Sequence, residues 1–128
     1  MMNRVQRAAV GLSALGLLAV LPLTVMADAA AGKAVYDGIG ACAGCHGSDG
    51  KGDGAAAAAL DPKPRNFAEA TFAYDTDGDG ATGTDVDLFN VIKNGSAVYG
   101  GAPTMPGRAD IPDADIQAMV EYIRSLAM

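Results

Sequence analysis

The segment "ACAGCHGSDG", residues 41 to 50, holds both cysteines and the single histidine of the 128-residue chain. Two residues separate Cys42 from Cys45, and His46 follows directly. A C-x-x-C-H run of this kind can form a disulfide, a redox-active thiol pair, half of a zinc site or a point of covalent haem attachment. Each of these chemistries requires a different surrounding fold.

The rest of the chain favours haem attachment. A zinc site needs four ligands, and the sequence has no further Cys or His. A thioredoxin-like pair follows a strand, and no stretch alternates with the period of a strand. A disulfide across a two-residue spacer would restrain little of the unfolded chain. We therefore predict that Cys42 and Cys45 form thioethers to one haem c and that His46 binds its iron.

The second axial ligand of the iron is predicted to be a methionine, because the chain has no second histidine. Met119 lies on the apolar face of a predicted helix, where methionine usually packs in the core. Met128 is the last residue, where chains fray. Met105 lies in the loop "GGAPTMPGRAD" between two rigid prolines, which suit a side chain held at a fixed depth. We predict Met105 as the sixth ligand, with a vacant or weakly ligated iron as the alternative.

Residues 1 to 27 are predicted to be a signal peptide. Two arginines precede an apolar run from Ala8 to Val25, and the run closes on a Val-Met-Ala cleavage pattern at Ala27. Cleavage after Ala27 would leave one domain, residues 28 to 128, in the periplasm. The alternative is an uncleaved anchor that holds the domain at the membrane, facing the periplasm.

The composition limits the partners and the core. The formal net charge of −6 at pH 7 argues against a nucleic-acid partner and favours a partner with a basic docking surface. Aromatic residues are few and tryptophan is absent, so the core is thin for a small domain and a cofactor is expected to complete it. No second apolar segment could span a bilayer, so we expect no stable membrane insertion after cleavage.

Three segments have helical signals, which predicts an all-α fold class. The first is Ala-rich and runs from Ala29 to about Gly38. The second opens at Thr84 like a capping box, with Asp87 in its N3 place, and stops at Asn94 and Gly95. The third runs from about Asp113 to Ala127 with apolar residues at helical spacing. Long Gly-, Ala- and Pro-rich loops connect them.

With these motifs, the chain resembles the class I c-type cytochromes of the small bacterial exported kind, from about Ala31 to Ala127. The resemblance is carried by "GKAVYDGIGACAGCHGSDGKGDG", "PKPRNF", "DLFNVIKNG", "APTMPG" and "IPDADIQAMVEYIRSL". It implies the class I cytochrome c fold, with three to five helices and long loops around one covalent haem. The first and last helices would cross at Gly32, Val35 and Tyr36 on one side and Tyr122 on the other.

The resemblance also implies how the haem is surrounded. A proline carbonyl, from Pro62 or Pro64, would accept the Nδ1 proton of His46 and fix the orientation of its ring. The wall of the haem crevice would be formed by Phe67, Phe72, Leu88, Phe89 and Tyr99.

The function implied is a periplasmic electron carrier and not an enzyme. With His46 and Met105 on both sides of the iron, no position is open to substrate, which fits single-electron shuttling between redox proteins. Two alternatives stay open. In the first, the chain is the electron-accepting subunit of a dehydrogenase or oxidase complex. In the second, it is a peroxidase-like or gas-binding haem protein with an open sixth site.

An acidic segment, residues 75 to 87, permits a second metal hypothesis. Asp75, Asp77 and Asp79 precede Gly80 as in the first half of a calcium loop. The second half departs from that pattern because Val86 occupies the place of the bidentate glutamate. We interpret the segment chiefly as a solvated acidic loop, with calcium binding as the weaker alternative and docking of a basic partner as a further use.

Overall fold

The computed structural model describes Gly16 and residues 24 to 127, with side chains from residue 28 onward. Its helices are α1, Thr24–Asp37; α2, Ala43–His46; α3, Asp85–Asn94; and α4, Asp113–Ser125. Single 3₁₀ turns occur at Ala57–Ala59, Phe67–Glu69 and Ala97–Tyr99. The described residues contain no strand, so the all-α prediction is confirmed. Most of the predicted signal peptide lies outside the described residues, and no described helix is long and apolar enough to cross a membrane.

The predicted helices agree with α1, α3 and α4. Helix α3 begins with a capping box in which Thr84 and Asp87 each accept a hydrogen bond from the other's backbone N–H. Helix α1 begins five residues before the predicted start, and α4 ends two residues before the predicted end. Helix α2 is an addition, a single turn formed by the C-x-x-C-H motif itself.

Helices α1 and α4 cross at Gly32. A side chain at this position would run into the backbone of Ala118, and its Cβ would lie 2.9 Å from the backbone nitrogen of Met119. One turn further along, Tyr36 and Tyr122 pack edge to face with ring centroids 5.2 Å apart. The crossing implied by the family resemblance is therefore present, and glycine makes it possible because it has no side chain.

The core lies between this crossing and α3. Its buried apolar side chains are Tyr36, Phe67, Leu88, Ile92, Ile111, Ile116, Met119, Val120, Tyr122 and Ile123. The two tyrosines also donate hydrogen bonds to the chain that follows the C-x-x-C-H motif. Tyr36 donates to the carbonyl of Gly47 at 2.7 Å, and Tyr122 donates to the carbonyl of Ser48 at 3.3 Å. The helix crossing thereby fixes the position of the motif.

Candidate functional site

The two cysteines flank the short helix α2. Cys42 is its N-cap and Cys45 lies within it, and both are free thiols that are half-buried. Burial raises the pKa of the Cys42 thiol. The structure therefore has no disulfide between them, which leaves both sulfur atoms available for bond formation.

His46 ends α2 with its ring held in one orientation. Its Nδ1 lies 3.2 Å from the carbonyl oxygen of Arg65. Because a carbonyl can only accept, Nδ1 carries the proton and Nε2 has a free lone pair. Burial lowers the pKa of His46, which favours this neutral form, and the ring stacks on Phe67 at a centroid distance of 4.5 Å. Such a histidine is prepared to bind a metal through Nε2.

The implied proline partner of His46 is wrong. The accepting carbonyl belongs to Arg65, the residue after Pro64. The carbonyl of Pro64 instead lies against Gly52, where it occupies the space that a side chain would need. The carbonyls of Pro64 and Arg65 thus contact different neighbours, and the one that accepts from the histidine comes one residue after Pro64 and three after Pro62.

An apolar cavity lies beside the histidine. His46 and Met105 both border it, and its apolar walls include Phe67, Phe72, Leu88, Ile92, Met119 and Ile123. The cavity has a volume of about 100 Å³ and is partly open to solvent. A second, adjoining cavity is bordered by the same histidine and methionine and by both cysteines. All four predicted haem-binding residues therefore border the second cavity, and Cys42, His46 and Met105 border the first as well.

The loop that carries Met105 is fastened to the end of α3. Gly95 and Pro106 form an isolated antiparallel bridge, and the backbone N–H of Ser96 donates to the carbonyl of Met105 at 3.3 Å. The hydroxyl of Ser96 donates to the carbonyl of Ala102 at 2.7 Å. Ser96 is buried, and this role could not be predicted because a serine after a helix usually faces solvent.

Not every residue expected in the crevice wall is found there. Phe67, Phe72 and Leu88 border the first cavity, whereas Phe89 and Tyr99 are not among the residues that line either described cavity. Phe89 packs at the edge of the core. The hydroxyl of Tyr99 accepts a hydrogen bond from Asn94 at 2.8 Å, which holds the ring beside the end of α3.

Residues 29–127 match the family model for cytochrome c. The chain belongs to the cytochrome c family. Among solved structures, this cytochrome is similar to a chain of the "Kuenenia stuttgartiensis reducing HAO-like protein complex Kustc0457/Kustc0458", with a TM-score of 0.65 and 26% sequence identity. That match covers 85% of the cytochrome and 48% of the other chain, so the cytochrome spans about half of its length. A comparison with curated protein sequences gives no significant match.

The residues of this cytochrome fit the haem c that the family implies. Two free thiols lie at the spacing of two thioether bonds, next to a cavity whose walls are mainly apolar. The Nε2 atom of His46 makes no hydrogen bond to any described residue and is the free coordinating atom. A bound haem supplies an iron that cycles between ferric and ferrous states, which is the electron-transfer chemistry of the family.

The acidic segment differs from the predicted calcium loop. Carboxylate oxygens of Asp75, Asp77 and Asp87 lie within 4.8 Å of one another, and Asp79 is not in this group. The carboxylate of Asp75 accepts hydrogen bonds from the backbone N–H groups of Gly78 at 2.7 Å and Gly80 at 3.0 Å. Calcium binding stays the weaker alternative, and these contacts give the carboxylate of Asp75 a structural role that needs no cation.

Asp87 connects this segment to α3. Its Oδ1 accepts hydrogen bonds from the backbone N–H and the hydroxyl of Thr76, at 2.6 and 2.8 Å. Its Oδ2 accepts hydrogen bonds from the same two groups of Thr84, both at 2.8 Å. These bonds, led by the Thr76 backbone N–H, lower the pKa of Asp87 from 3.8 to about 2. The carboxylate therefore stays ionised beneath the surface.

Replacing Asp87 with asparagine should lower the free energy of unfolding at neutral pH by on the order of 1–2 kcal/mol, because an amide cannot accept from all four donors. Since the pKa of Asp87 is depressed on folding, its contribution is complete above about pH 4 and is lost as the pH falls towards 2. Over this pH range, urea unfolding should show that the free energy of unfolding decreases in the wild type and decreases less in Asp87→Asn. Asp79→Asn, at an exposed carboxylate, is the control. Equal pH dependence in all three proteins would contradict the assignment.

Proposed function

We propose that this cytochrome carries single electrons between redox proteins in the periplasm. In this proposal it binds one haem c through Cys42 and Cys45, with His46 and Met105 as axial ligands of the iron. The observation that carries the proposal is that His46 and Met105 border the same apolar cavity although 58 residues, 47 to 104, lie between them in sequence. Both axial positions would be filled, so the protein exchanges electrons and has no substrate site on the iron.

The surroundings support a carrier with a raised reduction potential. Thioether ligation and an apolar cavity both favour the ferrous state, which carries less charge than the ferric one. The bond from His46 to the carbonyl of Arg65 fixes the ring and leaves little reorganisation when the iron changes its oxidation state. Low reorganisation favours rapid electron exchange.

The charge of the chain supports a partner with a basic docking surface. Residues 24 to 127 contain 7 Lys and Arg and 15 Asp and Glu, which gives a formal charge of 7 − 15 = −8. The residues that border the second cavity include Lys63, Arg65 and Arg108 and no carboxylate. Long-range attraction of a basic partner would therefore come from acidic residues outside the rim of the cavity.

A second candidate is favoured by the structural comparison. The similar solved chain belongs to a protein complex and is about twice as long as the matched region. This cytochrome would then act as a fixed electron-accepting subunit instead of a free shuttle. Purification from the native organism distinguishes the two, since a subunit elutes with its partners in constant ratio and a shuttle elutes alone. The same material tests export, because the mature protein should begin at Asp28.

Carbon monoxide tests whether the sixth position is filled. The reduced wild type should bind carbon monoxide slowly, because Met105 must leave first, and Met105→Ala should bind it about tenfold faster or more. Stopped-flow absorbance of the haem-loaded proteins measures both rates. If the wild type binds as fast as Met105→Ala, the open-site alternative replaces the carrier proposal.

A further inference from the structure

Arg108 joins two segments of the cytochrome that are far apart in sequence. Its Nη1 donates to the carbonyl of Gly40 at 2.6 Å, and its Nη2 donates to the carbonyl of Ile39 at 2.8 Å. Arg108 follows Met105 by three residues, and the two carbonyls lie just before Cys42. One side chain therefore ties the loop of the predicted sixth ligand to the segment that leads into the haem-attachment motif.

The remaining bonds of Arg108 fix the side chain in place. Its Nε and Nη2 donate to the two carboxylate oxygens of Asp110, each at 2.9 Å. Its backbone N–H donates to the carbonyl of Ile92 on α3 at 2.9 Å. Asp110 is largely exposed, and such an ion pair adds little stability by itself. Its effect is to orient the guanidinium, whose planar fork can then serve both carbonyls at once.

The segment held by Arg108 has a strained backbone. Ala41, between Gly40 and Cys42, has φ at +52°, in the left-handed region that alanine rarely adopts. The N–H of Gly40 is bonded to the carbonyl of Val35 at 2.7 Å, and that of Cys42 to the carbonyl of Tyr36 at 3.0 Å. Strain of this kind persists only where surrounding contacts hold the chain. The bonds from Arg108 act on the carbonyls of Ile39 and Gly40, immediately before the strained residue.

We propose that Arg108 is a positioning residue that locks the Met105 loop against the haem-attachment segment and so limits how often Met105 leaves the iron. Arg108 also borders the second cavity together with Cys42, Cys45, His46 and Met105. The inference rests on the proposed function, because it takes Met105 as the sixth ligand. Without the guanidinium, the loop keeps its attachment to Ser96 and Gly95 but loses the two hydrogen bonds to the carbonyls of Ile39 and Gly40.

Imidazole binding to the oxidised, haem-loaded protein measures this effect, because imidazole binds the iron only when Met105 has left. In Arg108→Gln the apparent Kd for imidazole should fall about tenfold or more, in proportion to the rise in the open population. The apparent Kd of Arg108→Lys should lie between those of Arg108→Gln and the wild type, because an ammonium keeps the charge but lacks the planar fork of the guanidinium. The absorption band of methionine ligation is followed in the same titration.

Arg124→Gln is the matched control. Arg124 also bonds a carboxylate and a backbone carbonyl, those of Asp85 and Gly83, but touches neither the Met105 loop nor the attachment segment. Its apparent Kd for imidazole should stay within about twofold of the wild type. The inference is overturned if Arg108→Gln and Arg124→Gln bind imidazole equally. If Arg108→Gln does not assemble, equal binding by Arg108→Lys and wild type overturns it.

The proposed function fails in a distinguishable way. If the wild type itself lacks the methionine band and binds imidazole without displacing a ligand, then Met105 is not the sixth ligand, and both proposals fall. If the wild type has the band and only the effect of Arg108 is missing, the electron-carrier proposal stands and the positioning role alone is rejected.

Discussion

Replacing Gly32 with alanine is expected to cost about 3 kcal/mol or more of folding stability, at or above the upper end of ordinary overpacking. The new Cβ would overlap the carbonyl group of Ala118 and lie 2.9 Å from the nitrogen of Met119. Both contacts are with backbone atoms of α4, so rotation of a side chain cannot relieve the clash. The helices would have to separate, which would also disturb the packing of Tyr36 on Tyr122.

A loss of this size is a large fraction of the total stability of a domain, about 5–15 kcal/mol. Urea unfolding of the haem-loaded protein, followed by circular dichroism, measures the loss. Gly44→Ala is the control, because no heavy atom lies within 4 Å of the added Cβ there. Equal stability of Gly32→Ala and Gly44→Ala would show that α1 and α4 do not approach as closely as described.

Local signals in the sequence account for most of the helices. The start of α3 was predictable because Thr84 and Asp87 satisfy each other's N–H groups within one turn. Helix α4 was predictable because its apolar residues recur at helical spacing. The short helix α2 has no such pattern and is held by contacts from elsewhere, such as the bond from Tyr36 to Gly47.

The residues proposed to bind haem could be identified from the sequence, and their surroundings could not. Spacing alone identifies Cys42, Cys45 and His46. The acceptor for His46 is a backbone carbonyl, which every residue possesses, so sequence cannot distinguish Arg65 from Pro64. Arg108 bonds residues 68 and 69 positions away, and no local pattern announces a contact of that range.

One residue expected in the cavity wall, Phe89, is absent from it for a geometric reason. Leu88 and Phe89 are adjacent on α3, and successive residues of a helix point in directions about 100° apart. Leu88 borders the cavity, whereas Phe89 packs at the edge of the core, with the ammonium of Lys93 5.5 Å from the centre of its ring. The direction of each residue around the helix therefore excludes one of these two adjacent apolar residues from the cavity wall.

Replacing Met105 with leucine is expected to remove the sixth ligand while leaving the fold intact. Leucine has nearly the same volume, and such exchanges usually cost less than about 1.5 kcal/mol. Loss of the thioether should lower the reduction potential by on the order of 100 mV, since axial ligands govern most of the range of haem potentials. Met119→Leu is the matched control, because Met119 borders the same cavity and is buried in α4.

Near-infrared magnetic circular dichroism of the oxidised proteins tests the central claim most directly, because it identifies both axial ligands of a low-spin haem iron. Wild type and Met119→Leu should show the signature of histidine–methionine ligation, and Met105→Leu should lack it. The account is contradicted if Met105→Leu keeps that signature, or if the wild type shows a histidine paired with any ligand other than methionine.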